Sequence, residues 1–218
     1  AAPGPVRLEY GRTLLNQGFV LMRERQDATG MDTLHSALTV FGGLRDDPAQ
    51  RQRASILYAE TCAWMHELAR RMGRLPEVAA LTAEAVKVAD EAVEREAGNL
   101  GALRSRALLR SRIAQDALDQ FDYAKAEKLA LATAADWTEF LRFDPDNDTA
   151  RNNRRVARNL AAQAQWRMGE FEQAIALGRE NLRESIASGG SPSTLRGTAF
   201  TSDILDNLEF GAMGAYRG

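Results

Sequence analysis

The sequence predicts an all-α chain, an α-solenoid of about four helix-turn-helix hairpins followed by a short C-terminal helix. Three observations carry that reading. Alanine, leucine, arginine and glutamate dominate, aromatic residues are only 7%, and β-branched residues seldom cluster, so local propensity favours helix. Breakers divide the chain into segments of helical length. The tight breaks then recur at a fixed spacing. With 44% hydrophobic and 27% charged residues in 218, there is enough apolar material for a buried core and a single repeat array.

Taken in order, the first helix is expected over 6–26, after Pro3-Gly4-Pro5 and before Gly30, which reads as a breaker. The second, 31–43, runs from Gly30 to Gly42-Gly43. Asp46-Asp47-Pro48 and Gly73 bound the third, 49–72, and Pro76 and Gly98-Asn99 bound the fourth, 76–97. The fifth, 100–120, stops at the tight link Phe121-Asp122, and the sixth, 122–143, at Asp144-Pro145-Asp146-Asn147. Gly169 separates the seventh, 148–168, from the eighth, 170–187, which meets the Gly189-Gly190-Ser191-Pro192 cluster. A linker is expected over 188–200. Ile204, Leu205, Leu208 and Phe210 then give one apolar face to a short helix in 201–218, which either caps the array in cis or docks in a groove in trans. Tight links alternate with looser ones, so sequence neighbours pair as antiparallel helices and the hairpins stack in series.

Superposing the tight turns exposes an internal repeat with a period of about 48 residues. Gly73-Arg74-Leu75-Pro76-Glu77-Val78, Phe121-Asp122-Tyr123-Ala124-Lys125-Ala126 and Gly169-Glu170-Phe171-Glu172-Gln173-Ala174 align, with Leu81, Leu129 and Leu177 at one offset beyond them. Upstream, Met65, Ile113 and Ala161 align, as do His66, Ala114 and Ala162. The run Ala161-Ala162 with Trp166-Arg167-Met168-Gly169-Glu170-Phe171-Glu172-Gln173-Ala174-Ile175 resembles the tetratricopeptide repeat family. The resemblance covers 51–187 well and 6–43 weakly. It departs from the family in period, since a standard repeat has about 34 residues and this one needs helices longer by roughly two turns each. It departs also at the family's tryptophan position, held here by Cys62, Arg110 and Arg158. The longer period is similar to divergent arrays in large bacterial regulators such as kinases, cyclases and transcription activators.

Composition and motifs narrow the function classes. A formal net charge of −2 lacks the basic excess of a dedicated nucleic-acid binder. Cys62 is alone, and with only His35 and His66 beside it neither a disulfide framework nor a metal site is expected. No cofactor is expected, because no glycine-rich phosphate loop is present. The longest charge-free stretches, such as 14–22, are about half the ~20 apolar residues of a membrane span, so membrane insertion is not expected. Residues 1–5 read as an expression or processing remnant, left by a removed signal peptide or a deleted upstream domain, so the natural chain is expected to be longer. The compartment is open, with the cytoplasm favoured over the periplasm.

No nucleophile with a base, no separated carboxylate pair and no metal cluster is legible, so a non-catalytic protein is expected. His66, between Met65 and Glu67, reads as a satisfied packing histidine, and Trp64, Trp137 and Trp166 as core or interface anchors. An enzyme would require a pocket gathering distant residues such as His66, Glu67 and Asp119. The arginines echo one another: Arg104, Arg106, Arg110 and Arg112 on one helix, Arg151, Arg154, Arg155 and Arg158 on its equivalent. Arg106 with Arg154 and Arg110 with Arg158 share repeat positions. They either form a stripe for an acidic peptide or phosphate, or pair with Asp116, Asp119, Asp144, Asp146 and Asp148 nearby, or simply solvate the surface. The family resemblance places the groove on the first helix of each hairpin. That implies Glu60, Glu67, Arg70 and Arg71, then Ser111, Gln115 and Asp119, then Asn159, Gln163 and Arg167. The expected function is a scaffold binding a partner protein or peptide, with a homodimer through an uncapped end as a further expectation. The alternative is a regulatory or sensory segment of a larger signalling enzyme or transcription regulator.

Overall fold

The computed structural model describes residues 2–187, and among the described residues there are eight helices and no strand. They are α1 (Gly4–Arg23), α2 (Asp27–Gly42), α3 (Arg51–Arg71), α4 (Leu75–Arg95), α5 (Leu100–Asp119), α6 (Tyr123–Phe143), α7 (Asp148–Met168) and α8 (Phe171–Ala187). The linker expected over 188–200 and the capping helix and tail expected over 201–218 lie outside the described residues. Gly4 and Pro5 are helical: Pro5 sits in the first turn of α1, where its missing N–H loses no intrahelical bond.

One turn recurs four times. Arg25, Gly73, Phe121 and Gly169, each one repeat period after the last, all have left-handed backbone, with φ of 63°, 68°, 63° and 84°. In each case the following residue's N–H reaches back five positions: Gln26 to Leu21 O, Arg74 to Ala69 O, Asp122 to Ala117 O and Glu170 to Gln165 O, at 2.7–2.9 Å. The turn residue's own N–H bonds three positions back, which completes a Schellman closure and satisfies carbonyls the helix end would otherwise leave open. The repeat therefore extends to α1–α2, where the sequence signal was weak because arginine stands at the glycine position. The first break is accordingly at 24–26, not at Gly30, which lies inside α2.

Gly30 is small for a different reason. It faces Gly18 of α1, and a Cβ on Gly18 would stand 2.6 Å from Leu34 Cδ2, one on Gly11 2.6 Å from Phe41 Cε1. These glycines let α1 and α2 approach closely. The looser links are capped by side chains: Asn99 accepts from Ala102 N at 3.0 Å and Asn147, one repeat on, from Ala150 N at 2.9 Å.

Each helix packs on its successor, and the odd-numbered helices also touch in series, α1 on α3, α3 on α5 and α5 on α7. The largest core cluster spans α1 to α5, with Leu34, Phe41, Leu44, Met65, Leu68 and Leu109 fully buried. Beyond it the cores are smaller: Leu103, Trp137, Phe140 and Leu141 form one between α5 and α6, and others are built mainly from alanine, as in Ala114, Ala130, Leu160 and Ala161. Trp137 is buried, while Trp64 and Trp166 are half-buried against Phe19 and Phe171.

Candidate functional site

The face built by α3 and α5 gathers most of the expected groove residues, and it gathers them through ion pairs. Arg104 meets Glu60 at 3.1 Å, Arg70 meets both Glu67 at 3.1 Å and Asp119 at 3.3 Å, and Arg112 approaches Glu67 at 3.6 Å while lying over the Trp64 ring. Gln115 donates to Asp119 at 2.9 Å, and Ser111 is half-buried. These pairs tie two odd helices together and are partly solvated, where each contributes little to stability. Arg71 points elsewhere, donating to Asp27 at 2.8 Å and to the Met22 carbonyl, so it anchors the α1–α2 turn. On α7, Asn159 accepts from Asn181 of α8 at 2.7 Å, Gln163 is half-buried, and Arg167 is exposed with no ion pair among the described residues. No hydrogen bond or ion pair joins the α5 set to the α7 set among the described residues.

The arginine stripe is matched inside the chain. Arg106 and Arg110 clamp Asp136 of α6 at 2.5 and 3.0 Å, and one repeat later Arg154 and Arg158 clamp Glu184 of α8 at 2.8 and 2.7 Å. The same guanidinium nitrogens serve in both clamps, since residues four apart on a helix present one face to one carboxylate. A second acid meets the surplus charge, Asp90 for Arg110 at 2.6 Å and Glu180 for Arg158 at 2.6 Å. Burial pushes the Asp136 carboxyl upward, and the bonds from Arg106 and Arg110 oppose that. The acids expected as partners from sequence proximity are not the ones used, apart from Asp148, which meets Arg151 at 2.8 Å. The actual partners lie on the next helix, brought there by the turn.

In the preceding pair the three clamp positions are Tyr58, Cys62 and Val88, all buried in the main core. Burial pushes the Cys62 thiol up to about 12, which leaves it an unreactive packing residue. One site in the fold is thus filled by apolar packing in α3–α4 and by ion clamps in α5–α6 and α7–α8.

A cavity of about 430 Å³ opens between α4 and α5. Leu75, Pro76, Ala79, Ala83, Val86 and Ile113 form an apolar wall, and His66, Thr82, Asp116, Gln120 and Lys125 supply its polar groups. His66 is 5% exposed, its Nδ1 3.3 Å from Thr82 Oγ1 and its Nε2 buried without a hydrogen-bond partner among the described residues, so within them it is not the satisfied packing histidine expected from sequence. Burial holds its pKa below the ordinary 6.5, and the imidazole is neutral at pH 7. Glu67 and Asp119 do not line this cavity, which the sequence did not reveal. The available signal was His66 itself, aligned with Ala114 and Ala162.

Among the described residues no group of three or more His, Cys, Asp or Glu side chains is placed to hold a metal ion, and no helix is long and apolar enough to cross a membrane. No protein-family model matches the chain, and no curated protein matches it either.

Proposed function

We propose that the chain is a non-catalytic interaction module, an α-solenoid of four helical hairpins resembling the tetratricopeptide repeats, which holds a partner protein or peptide along the face of its odd-numbered helices. The observation that carries this reading is the serial contact of α1, α3, α5 and α7, each on the next, beside the same left-handed turn once in every repeat. Such an arrangement offers an extended surface of repeated side chains, which is what repeat arrays use for recognition. The arginines that serve it are the more solvated ones, Arg104, Arg112 and Arg167: the ion pairs of Arg104 and Arg112 are open to water, whereas Arg106, Arg110, Arg154 and Arg158 are clamped on acids at largely buried positions.

The test is affinity capture with three baits of equal helicity: the wild type, Arg104→Glu/Arg167→Glu on the odd helices, and Arg142→Glu/Arg179→Glu on the even ones. A protein held by the wild type and the even-helix variant and lost by the odd-helix variant is the expected result. Equal retention by both variants, or capture of nothing by the wild type, counts against the proposal.

A further inference from the structure

The cavity between α4 and α5 interrupts the repeat. His66, Thr82 and Asp116 stand where the next repeat has Ala114, Ala130 and Ala164, and those alanines are buried in the small clusters that close the following junction. At the α4–α5 junction the same three positions carry polar residues, which line the cavity. A local breach of an otherwise consistent pattern, at a concave site, is where function is to be sought.

The charge in the cavity is specific. Asp116 is half-buried, and its two oxygens accept only from Gln120 Nε2, at 3.1 and 3.0 Å, with no ion pair among the described residues. By contrast Asp27, Glu60, Glu67, Asp90 and Asp136, all buried or half-buried, each face an arginine. An anion left with one neutral donor beside an apolar wall favours a cation strongly. The neighbouring imidazole does not compete, since burial keeps it neutral. Arg70 and Arg112 are held by Glu67 and Asp119 on the other face, and Lys125 stands exposed at the mouth, where solvent screens it.

We infer that this cavity binds a compact apolar ligand carrying one ammonium group, the apolar body against Leu75, Ala79, Ala83, Val86 and Ile113 and the ammonium against Asp116. The volume, about 430 Å³, is in the range of sites for small organic molecules, roughly 300–1,000 Å³. This inference does not rest on the proposed interaction surface, which is on another face.

The experiment titrates the full chain with phenethylamine and, in parallel, with 3-phenylpropionate, an anion of similar size, by calorimetry and by NMR of labelled protein. Phenethylamine is expected to bind saturably, with shifts centred on His66, Thr82, Val86 and Ile113. The anion is expected to bind at least about tenfold more weakly. Asp116→Ala, which installs the residue of the next repeat, should lose at least about tenfold in phenethylamine affinity, and Asp116→Glu should retain it. Ala83→Phe, at an exposed position that the fold does not need, should abolish binding by filling the cavity, so the test survives a misfolded Asp116 variant. Absence of saturable phenethylamine binding overturns the inference. So does equal affinity for the anion, or affinity unchanged in Asp116→Ala or Ala83→Phe.

Discussion

Four side chains show how much a single position decides. Phe121 holds a left-handed backbone that costs a non-glycine residue about 1 kcal/mol or more, while its ring is largely exposed. Phe121→Gly should therefore raise stability by roughly 0.5–1 kcal/mol in urea unfolding, and Arg25→Gly similarly. Asp136 has the opposite character. Asp136→Ala strips the shared carboxylate from two largely buried guanidinium groups and should cost about 3 kcal/mol, whereas Arg106→Tyr/Arg110→Cys/Asp136→Val, which copies the α3–α4 residues, should remain folded. For His66 the sign follows from its lowered pKa. The unfolded chain protonates first, near 6.5, so the contribution of His66 is full above that pH and is lost as pH falls toward the folded-state value. Melting temperatures measured between about pH 7 and 5 should fall less steeply in His66→Ala.

At the level of helices, glycine serves two purposes that a sequence alone writes identically. Gly73 and Gly169 end helices with left-handed backbone; Gly11, Gly18 and Gly30 let helices touch. Gly18→Ala would gain up to about 1 kcal/mol of helix propensity in an isolated helix. Here its Cβ meets Leu34, so thermal unfolding should show a net loss instead. This ambiguity explains what could be read in advance. The links at Gly73, Phe121 and Gly169 were legible because composition and spacing agreed. The link at Arg25 was not, because its conformation is imposed by the closing hydrogen bonds and not announced by its residue type. Helical spacing did place Glu60, Glu67 and Arg70 near one another on α3 and Ser111, Gln115 and Asp119 on α5, whereas Arg71 of the same set turns to Asp27. The ion partners were not legible, because the counter-ions of Arg106, Arg110, Arg154 and Arg158 arrive from a neighbouring helix. The α4–α5 cavity needed four helices at once, and a lone His66 among alanines pointed toward it only faintly.

Across the whole molecule the packing changes character along the chain. Leucine, methionine and phenylalanine fill the interior from α1 to α5, a smaller cluster around Trp137, Phe140 and Leu141 follows in α6, and alanine with ion clamps fills the interior of α7 and α8. Local opening should follow that gradient, so native-state hydrogen exchange is expected to be slowest in α2 and α3 and fastest in α7 and α8. Uniform protection along the chain would show that the alanine clusters and clamps hold as firmly as the larger core. The clamps carry one more consequence, for how such a chain can grow. Arg154 and Arg158 find both of their acids, Glu184 and Glu180, on α8, whereas Arg106 and Arg110 borrow Asp90 from α4. A gene duplication spanning α7–α8 adds a segment whose clamp charges already cancel, while one spanning α5–α6 strands an arginine unless α4 is copied with it. The α7–α8 pair is thus the natural unit of elongation.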